Sequence, residues 1–194
     1  MIKEKPQFRP KLRLPGFMFE LLQTIIFVLV VTVLFDMAIP RSLVEGHSMQ
    51  PTFEDADRLV VSRVNYLMAA PQRGDVIVFN SVNPRDAAGT MLIKRVIGLP
   101  GDTVQIIDKQ MYINGTPIDE PYINEPCRVN CADETWNLGA GQYFAMGDNR
   151  NHSSDSRVFG PVSIDHIVGK VMFRYWPLDR IGFIAEPQYS ELNK

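Results

Sequence analysis

Cysteine and histidine are scarce in this chain of 194 residues: two cysteines, Cys127 and Cys131, and three histidines, His47, His152 and His166. A zinc centre needs about four ligands, and neither a second cysteine pair nor a histidine cluster supplies them, so no metal is expected. The cysteines stand either as a disulfide closing a short loop, worth ~2 kcal/mol on the chain-entropy account, or as free thiols. An excess of one charge is lacking too. Lys plus Arg total 20 against 22 Asp plus Glu, a formal charge of −2 without a long basic block. A nucleic-acid partner is therefore not expected. Internal repeats, low-complexity tracts and a second long apolar run are also missing.

One long apolar run is present: residues 21–39, LLQTIIFVLVVTVLFDMAI, 19 positions with Asp36 as the single charge. At ~1.5 Å per residue it reaches roughly 28 Å, close to the ~30 Å apolar thickness of a bilayer. It has no polar face, which argues against lying on a membrane surface, and lipid leaves its backbone only an internally bonded helix. It exceeds the ~7–15 residues of a leader's apolar core and lacks a clear small-x-small cleavage site before the globular part. Lys3, Lys5, Arg9, Lys11 and Arg13 precede it, opposed by Glu4 and Glu20, and Arg41 is the nearest basic residue beyond it. That asymmetry predicts a cytoplasmic N-terminus. The expected organisation is a basic cytoplasmic tail at 1–16, a transmembrane anchor at 17–39 and an extracytoplasmic domain at 40–194, large enough to bury a core.

Beyond the anchor, short β-branched runs alternate with Gly, Pro, Asn and Asp. Strands are predicted at Arg58–Val64, Asp75–Phe79, Met91–Ile97, Thr103–Ile107, Gln142–Met146 and Ile167–Phe173. Asn114-Gly115 inside Tyr112–Ile118 predicts a hairpin with a type I′ turn. The expected fold is mainly β, an antiparallel domain with one N-terminal transmembrane helix. A polar connection is expected at 80–90, a less regular excursion at 119–141, and one helical turn near Ser163–Ile167, capped by Ser163 and Asp165.

Ser48 lies between Gly46, which frees the backbone, and Pro51, which restricts it, so the serine is expected on a shaped turn. Lys94 stands in Met91–Ile97, where alternation sends Leu92, Lys94 and Val96 to one face and Ile93, Arg95 and Ile97 to the other. If the lysine face is buried, desolvation favours the neutral amine, which can take a serine proton; the plainer reading is a lysine stem lying along a sheet face. A histidine base is the competing reading. His47 adjoins Ser48 and points away from its hydroxyl in an extended stretch, whereas His152 and His166 stay open as partners. The polar run Gly147–Arg157 reads as a turn network in which Asp155 pairs with an arginine, or as a solvated loop; Asn151-His152-Ser153 also matches a glycosylation triplet.

Four segments in order resemble the boxes of the type I signal peptidases, or leader peptidases. They are Ser48-Met49-Gln50-Pro51-Thr52, Arg73–Phe79, Lys94–Asp102, and Gly147-Asp148-Asn149-Arg150 through Ser153, Asp155, Ser156, Arg157 and Gly160. The resemblance covers 44–102 and 142–175 and is closer to the compact single-span bacterial members. It implies a serine-lysine dyad on a mainly antiparallel β fold, single-pass in the bacterial plasma membrane, that cuts signal peptides from exported preproteins near the export machinery. It further implies Ser48 as nucleophile, Lys94 as general base, and no cofactor. Ser153 is expected to orient the lysine amine, Asp155 and Arg157 to form a supporting ion pair, and Asp148 to hold the loop. Met49, Val78 and Leu92 are expected to wall a pocket for small side chains. Some relatives carry a second, side-chain oxyanion donor two residues before the nucleophile; here that position is Gly46. An inert membrane-tethered peptide-binding module and a self-cleaving peptidase of the repressor type are the remaining alternatives.

Overall fold

The computed structural model describes residues 16–38 and 41–193. The basic residues of the orientation argument before residue 16, and Ile39, lie outside them. The chain divides between Met37 and Ala38 into two units, each described by itself. The first contains α1, Gly16–Ala38, a helix of 23 residues and therefore ~34 Å long. It is long and apolar enough to cross a membrane, and its side chains over Gly16–Leu34 are exposed within the unit. Its two threonines keep their hydroxyls inside the helix: Thr24 Oγ1 donates to the Glu20 carbonyl and Thr32 Oγ1 to that of Val28, both at 2.9 Å. Neither hydroxyl needs a partner from its surroundings.

Among the described residues, the second unit has twelve strands and two one-turn α-helices. In chain order they are β1 (Arg41–Leu43), β2 (Arg58–Ser62), α2 (Asn65–Met68), β3 (Val76–Asn80), β4 (Met91–Gly98), β5 (Thr103–Ile107), β6 (Gln110–Ile113) and β7 (Thr116–Pro117). Then follow β8 (Glu134–Asn137), β9 (Gln142–Met146), α3 (Ser156–Phe159), β10 (Val162–Ser163), β11 (Ile167–Trp176) and β12 (Gly182–Phe183). One sheet runs β1-β2-β11-β3-β4-β9-β10, with β12 on β11; the other runs β7-β6-β5-β8. Every pairing is antiparallel.

β3 lies near the centre of the large sheet, and its first four residues are buried. Val76 and Val78 pack with Met49, Phe53, Leu59, Val61 and Val171, while Ile77 and Phe79 pack with Val96, Tyr143, Ala145 and Val162. A run apolar at every position, rather than alternating, is what a strand covered on both faces requires. A third cluster joins the small sheet, through Val104, Ile106, Met111 and Ile113, to Phe144 and Met146 of β9. The β3–β4 register sets Lys94 opposite Ile77 and Arg95 opposite Val76.

The main strands lie where the β-branched runs place them. β2 stops at Ser62, whose hydroxyl bonds the Asn65 side chain at 2.7 Å as the chain turns into α2. β11 extends to Trp176, three residues beyond the expected strand, because β2 and β12 pair with its far end. Asn114 and Gly115 both have positive φ, 52° and 80°, as a type I′ turn demands. A second such turn joins β5 to β6 through Asp108 and Lys109, at φ 49° and 67°. It carries no glycine and gave no turn signal. The excursion at 119–141 contains β8, and the expected turn near Ser163 is a 3₁₀ turn over Ile164–His166 whose Asp165 amide donates to Ser163 Oγ.

Candidate active site

Ser48 sits on a turn held from three sides. Gly46 takes φ +88°, a conformation that favours glycine, and its amide donates to Asp55 Oδ1 at 2.8 Å. Met49 and Phe53, fully buried, anchor the turn in the core, and the Phe53 amide donates to the Met49 carbonyl at 2.9 Å. From the loop after β9, Asn149 donates its amide to the Ser48 carbonyl and its Nδ2 to the His47 carbonyl, each at 3.0 Å. The Ser48 amide donates to no group among the described residues.

The Lys94 amine lies 2.8 Å from Ser48 Oγ and 2.9 Å from the Ile93 carbonyl. Lys94 is 3% exposed, so it does not lie along an open sheet face. Burial drags its pKa from 10.5 to about 8, against the opposing pull of Asp155, Asp148 and Asp86, while Arg157 adds to the lowering. The amine is therefore neutral for about a fifth of the time near physiological pH, against about a thousandth for an ordinary lysine. No histidine is bonded to the Ser48 hydroxyl among the described residues: His47 is exposed, and His152 lines a separate cavity with Gln50, Glu54 and Glu125.

Two buried ion pairs support the dyad. Asp148 binds Arg95 through both oxygens, at 2.9 and 2.6 Å, and accepts from Thr52 Oγ1 at 2.6 Å, so the serine turn, β4 and the loop after β9 meet on one carboxylate. Arg95 also donates to the Gly74 carbonyl at 2.9 Å, and its guanidinium stacks 4.3 Å above the Tyr122 ring. Asp155 binds Arg157 through both oxygens, at 2.8 and 2.7 Å, and accepts from the Gly147 amide at 3.0 Å. Burial alone would raise the Asp155 pKa, but Arg157 and the Gly147 amide outweigh it and the carboxyl is held below its usual range. Buried charges so paired and bonded avoid the penalty of an orphaned ion.

Ser153 is buried, and its hydroxyl helps to hold Asp155 ionised; the expected contact with the lysine amine is not found among the described residues. It packs on Gly147. A Cβ there would come within 2.3 Å of Ser153 Oγ and 2.4 Å of the Ser48 carbonyl oxygen, so the close approach of the two loops requires glycine. Asn151 does not offer a free side-chain amide for a glycan. Its Oδ1 accepts from the Arg128 and Val129 amides and its Nδ2 donates to the Pro126 carbonyl.

Beside the dyad opens a cleft of about 350 Å³ lined by Ser48, Lys94, Met49, Val78 and Leu92 together with β1. The sheet must curl strongly for its edge strand β1 to face β3 and β4 across one cleft. β4 pairs with β9 only from Arg95 onward, so over Met91–Lys94 that edge has no strand partner among the described residues, and neither has the outer edge of β1 at Ser42 and Leu43. Sequence reasoning missed β1, which is too short for a periodic signal, and the positioning contacts of Thr52, Arg95 and Tyr122.

A family model described as "Signal peptidase, peptidase S26" matches residues 18–176. The chain is 39% identical over 148 residues to signal peptidase I of Leptolyngbya laminosa, covering 74% of this chain and 72% of the relative. It is 42% identical over 159 residues to probable signal peptidase I-1 of Synechocystis sp., covering 80% of each. A solved structure of a signal peptidase I from Enterococcus faecalis is similar over 53% of this chain and 97% of that one, at 38% identity and a TM-score of 0.45.

Proposed function

Because the chain belongs to the signal peptidase family, peptidase S26, we propose that its chemistry resides in Ser48 as nucleophile and Lys94 as general base. It is a membrane serine endopeptidase that removes signal peptides. The observation that carries the residue assignment is the 2.8 Å contact between a serine hydroxyl and a buried amine whose pKa is about 8.

In the first step, neutral Lys94 takes the Ser48 proton as Oγ attacks the scissile carbonyl. The unoccupied Ser48 amide is placed to donate to the oxyanion that forms. Lys94, now an ammonium, returns the proton to the leaving nitrogen; it then activates the water that hydrolyses the acyl-enzyme. An ammonium has three donors, of which Ser48 Oγ and the Ile93 carbonyl use two. Buried Ser153, beside Gly147, is the proposed third acceptor. Asp155 with Arg157, and Asp148 with Arg95, hold the two loops in register and take no part in bond making.

The substrate lies extended between the strand edges at Ser42–Leu43 and at Met91–Lys94, bonded through its backbone, while Met49, Val78 and Leu92 limit the side chains that enter. Residues 17–39 form the anchor and 40–194 the catalytic domain. The basic residues before the helix set the N-terminus in the cytoplasm and the domain outside, beside the export machinery.

The test is cleavage of a preprotein by full-length enzyme in detergent or liposomes. Ser48→Ala and Lys94→Ala are expected to lose about 10⁴-fold or more in kcat with the fold retained, and replacement of all three histidines to leave kcat intact. Undiminished cleavage by Lys94→Ala would remove the lysine from the mechanism.

A further inference from the structure

The loop closed by the Cys127–Cys131 disulfide has a structural job that neither the family boxes nor the composition assigns. Its tip is exposed, but its inner side forms a socket for one buried guanidinium. Arg157 Nη1 donates to the Val129 carbonyl at 3.1 Å and lies 3.1 and 3.3 Å from the sulfurs of Cys127 and Cys131. Its Nη2 donates to the Arg150 carbonyl at 2.9 Å and to Asp155, and Nε completes the fork on Asp155. The chain of contact continues inward. Asp155 holds the Gly147 amide, and Gly147 backs onto the Ser48 carbonyl and Ser153.

We propose that the Cys127–Cys131 loop is a positioning element of the dyad, holding Arg157 against Asp155 so that Asp155 keeps the Gly147 backbone, and through it Ser48, in place. The proposal rests on the dyad assignment. A loop of this size bridged at its base offers the carbonyl and both sulfurs as one rigid acceptor surface. Unbridged, its residues regain rotational freedom and the guanidinium loses three contacts on one side.

The electrostatic consequence has a definite sign. The charged groups facing the Lys94 amine are Asp155, Asp148 and Asp86, which favour its protonation, and Arg157, which opposes it. Drawing Arg157 away leaves the three carboxylates less opposed, so the amine keeps its proton to higher pH.

The disulfide is opened by a dithiol reductant. The two sulfurs take up two electrons and two protons as cysteine thiols, while the reductant's thiols close to a disulfide. Full-length protein in detergent micelles is assayed on a preprotein across pH, as oxidised wild type, after dithiothreitol, after reoxidation, and as Cys127→Ala/Cys131→Ala. Near-UV circular dichroism reports the fold. Opening the bridge is expected to move the acid limb of kcat/KM upward by about half a pH unit and to lower kcat about three- to tenfold with KM little changed. Reoxidation should restore wild type and do nothing for the double variant. An unchanged pH profile and kcat with thiols verified by alkylation overturns the proposal, and so does loss of the near-UV signal, which would make the bridge a plain staple. Ser48→Ala and Lys94→Ala run alongside. Their inactivity together with a silent disulfide rejects the loop alone, whereas activity in either rejects the dyad.

Discussion

At neutral pH the Lys94 ammonium and its apolar surroundings oppose each other. Its folded pKa, about 8, lies below the ordinary 10.5, so between those values the unfolded chain binds a proton that the folded chain does not. Stability therefore rises with pH across that window, and below about pH 8 the folded state carries the full cost of the buried charge, about 3 kcal/mol. Lys94→Met, similar in length and uncharged, is expected to abolish cleavage yet raise the unfolding midpoint at pH 7, with the gain shrinking toward pH 10; calorimetry on both proteins decides it. In the wild type, kcat/KM is expected to climb about tenfold per unit below pH 8 and then level. Gly46→Ser should not restore a side-chain oxyanion donor. At φ +88° the new residue is strained by about 1–2 kcal/mol, so a lower midpoint and a reduced kcat are expected; a raised kcat would mean the turn relaxes. The contact between Ser48 and Lys94 was legible because the family boxes contain both residues and the apolar run around Lys94 suggests its burial. Tyr122 was not: its contact with Arg95 joins residues far apart in sequence, and an aromatic in an irregular stretch carries no periodic signal.

Strand elements were legible wherever they pack on two sides or alternate, as β3, β4 and β9 do. β1, β10 and β12 escaped because two or three residues in register carry no pattern, and β8 because the excursion's Pro, Cys and Gly mask it. The proposed dyad depends on how the loop after β9 meets the Ser48 turn. Gly147→Ala tests that meeting. Its Cβ overlaps a backbone oxygen, which has no rotamer to escape into, so the turn itself must shift. Since misplacement by about 1 Å can cost 10²-fold, kcat should fall by about that factor while KM for a short peptide moves little. A variant with native kcat would show that the loop yields instead.

For the molecule as a whole, the link between Ala38 and Arg41 is short, and it ties a protease to a helix able to cross a bilayer. A short tether raises the effective concentration of an enzyme toward substrates emerging from the same membrane. Inserting a flexible ten-residue Gly-Ser segment there, about 17 Å in mean span, is expected to slow preprotein processing in liposomes. It should leave hydrolysis of a soluble peptide unchanged; equal loss on both substrates would point to damage rather than reach. The strand edges at Ser42–Leu43 and Met91–Lys94 have a wider consequence. A strand edge binds peptide groups, which are the same in every residue but proline, and half of an extended chain's side chains point away from the cleft. In the proposed binding mode, recognition restricts only a few positions in each substrate. Leader sequences are then free to drift apart at their other positions without escaping the enzyme.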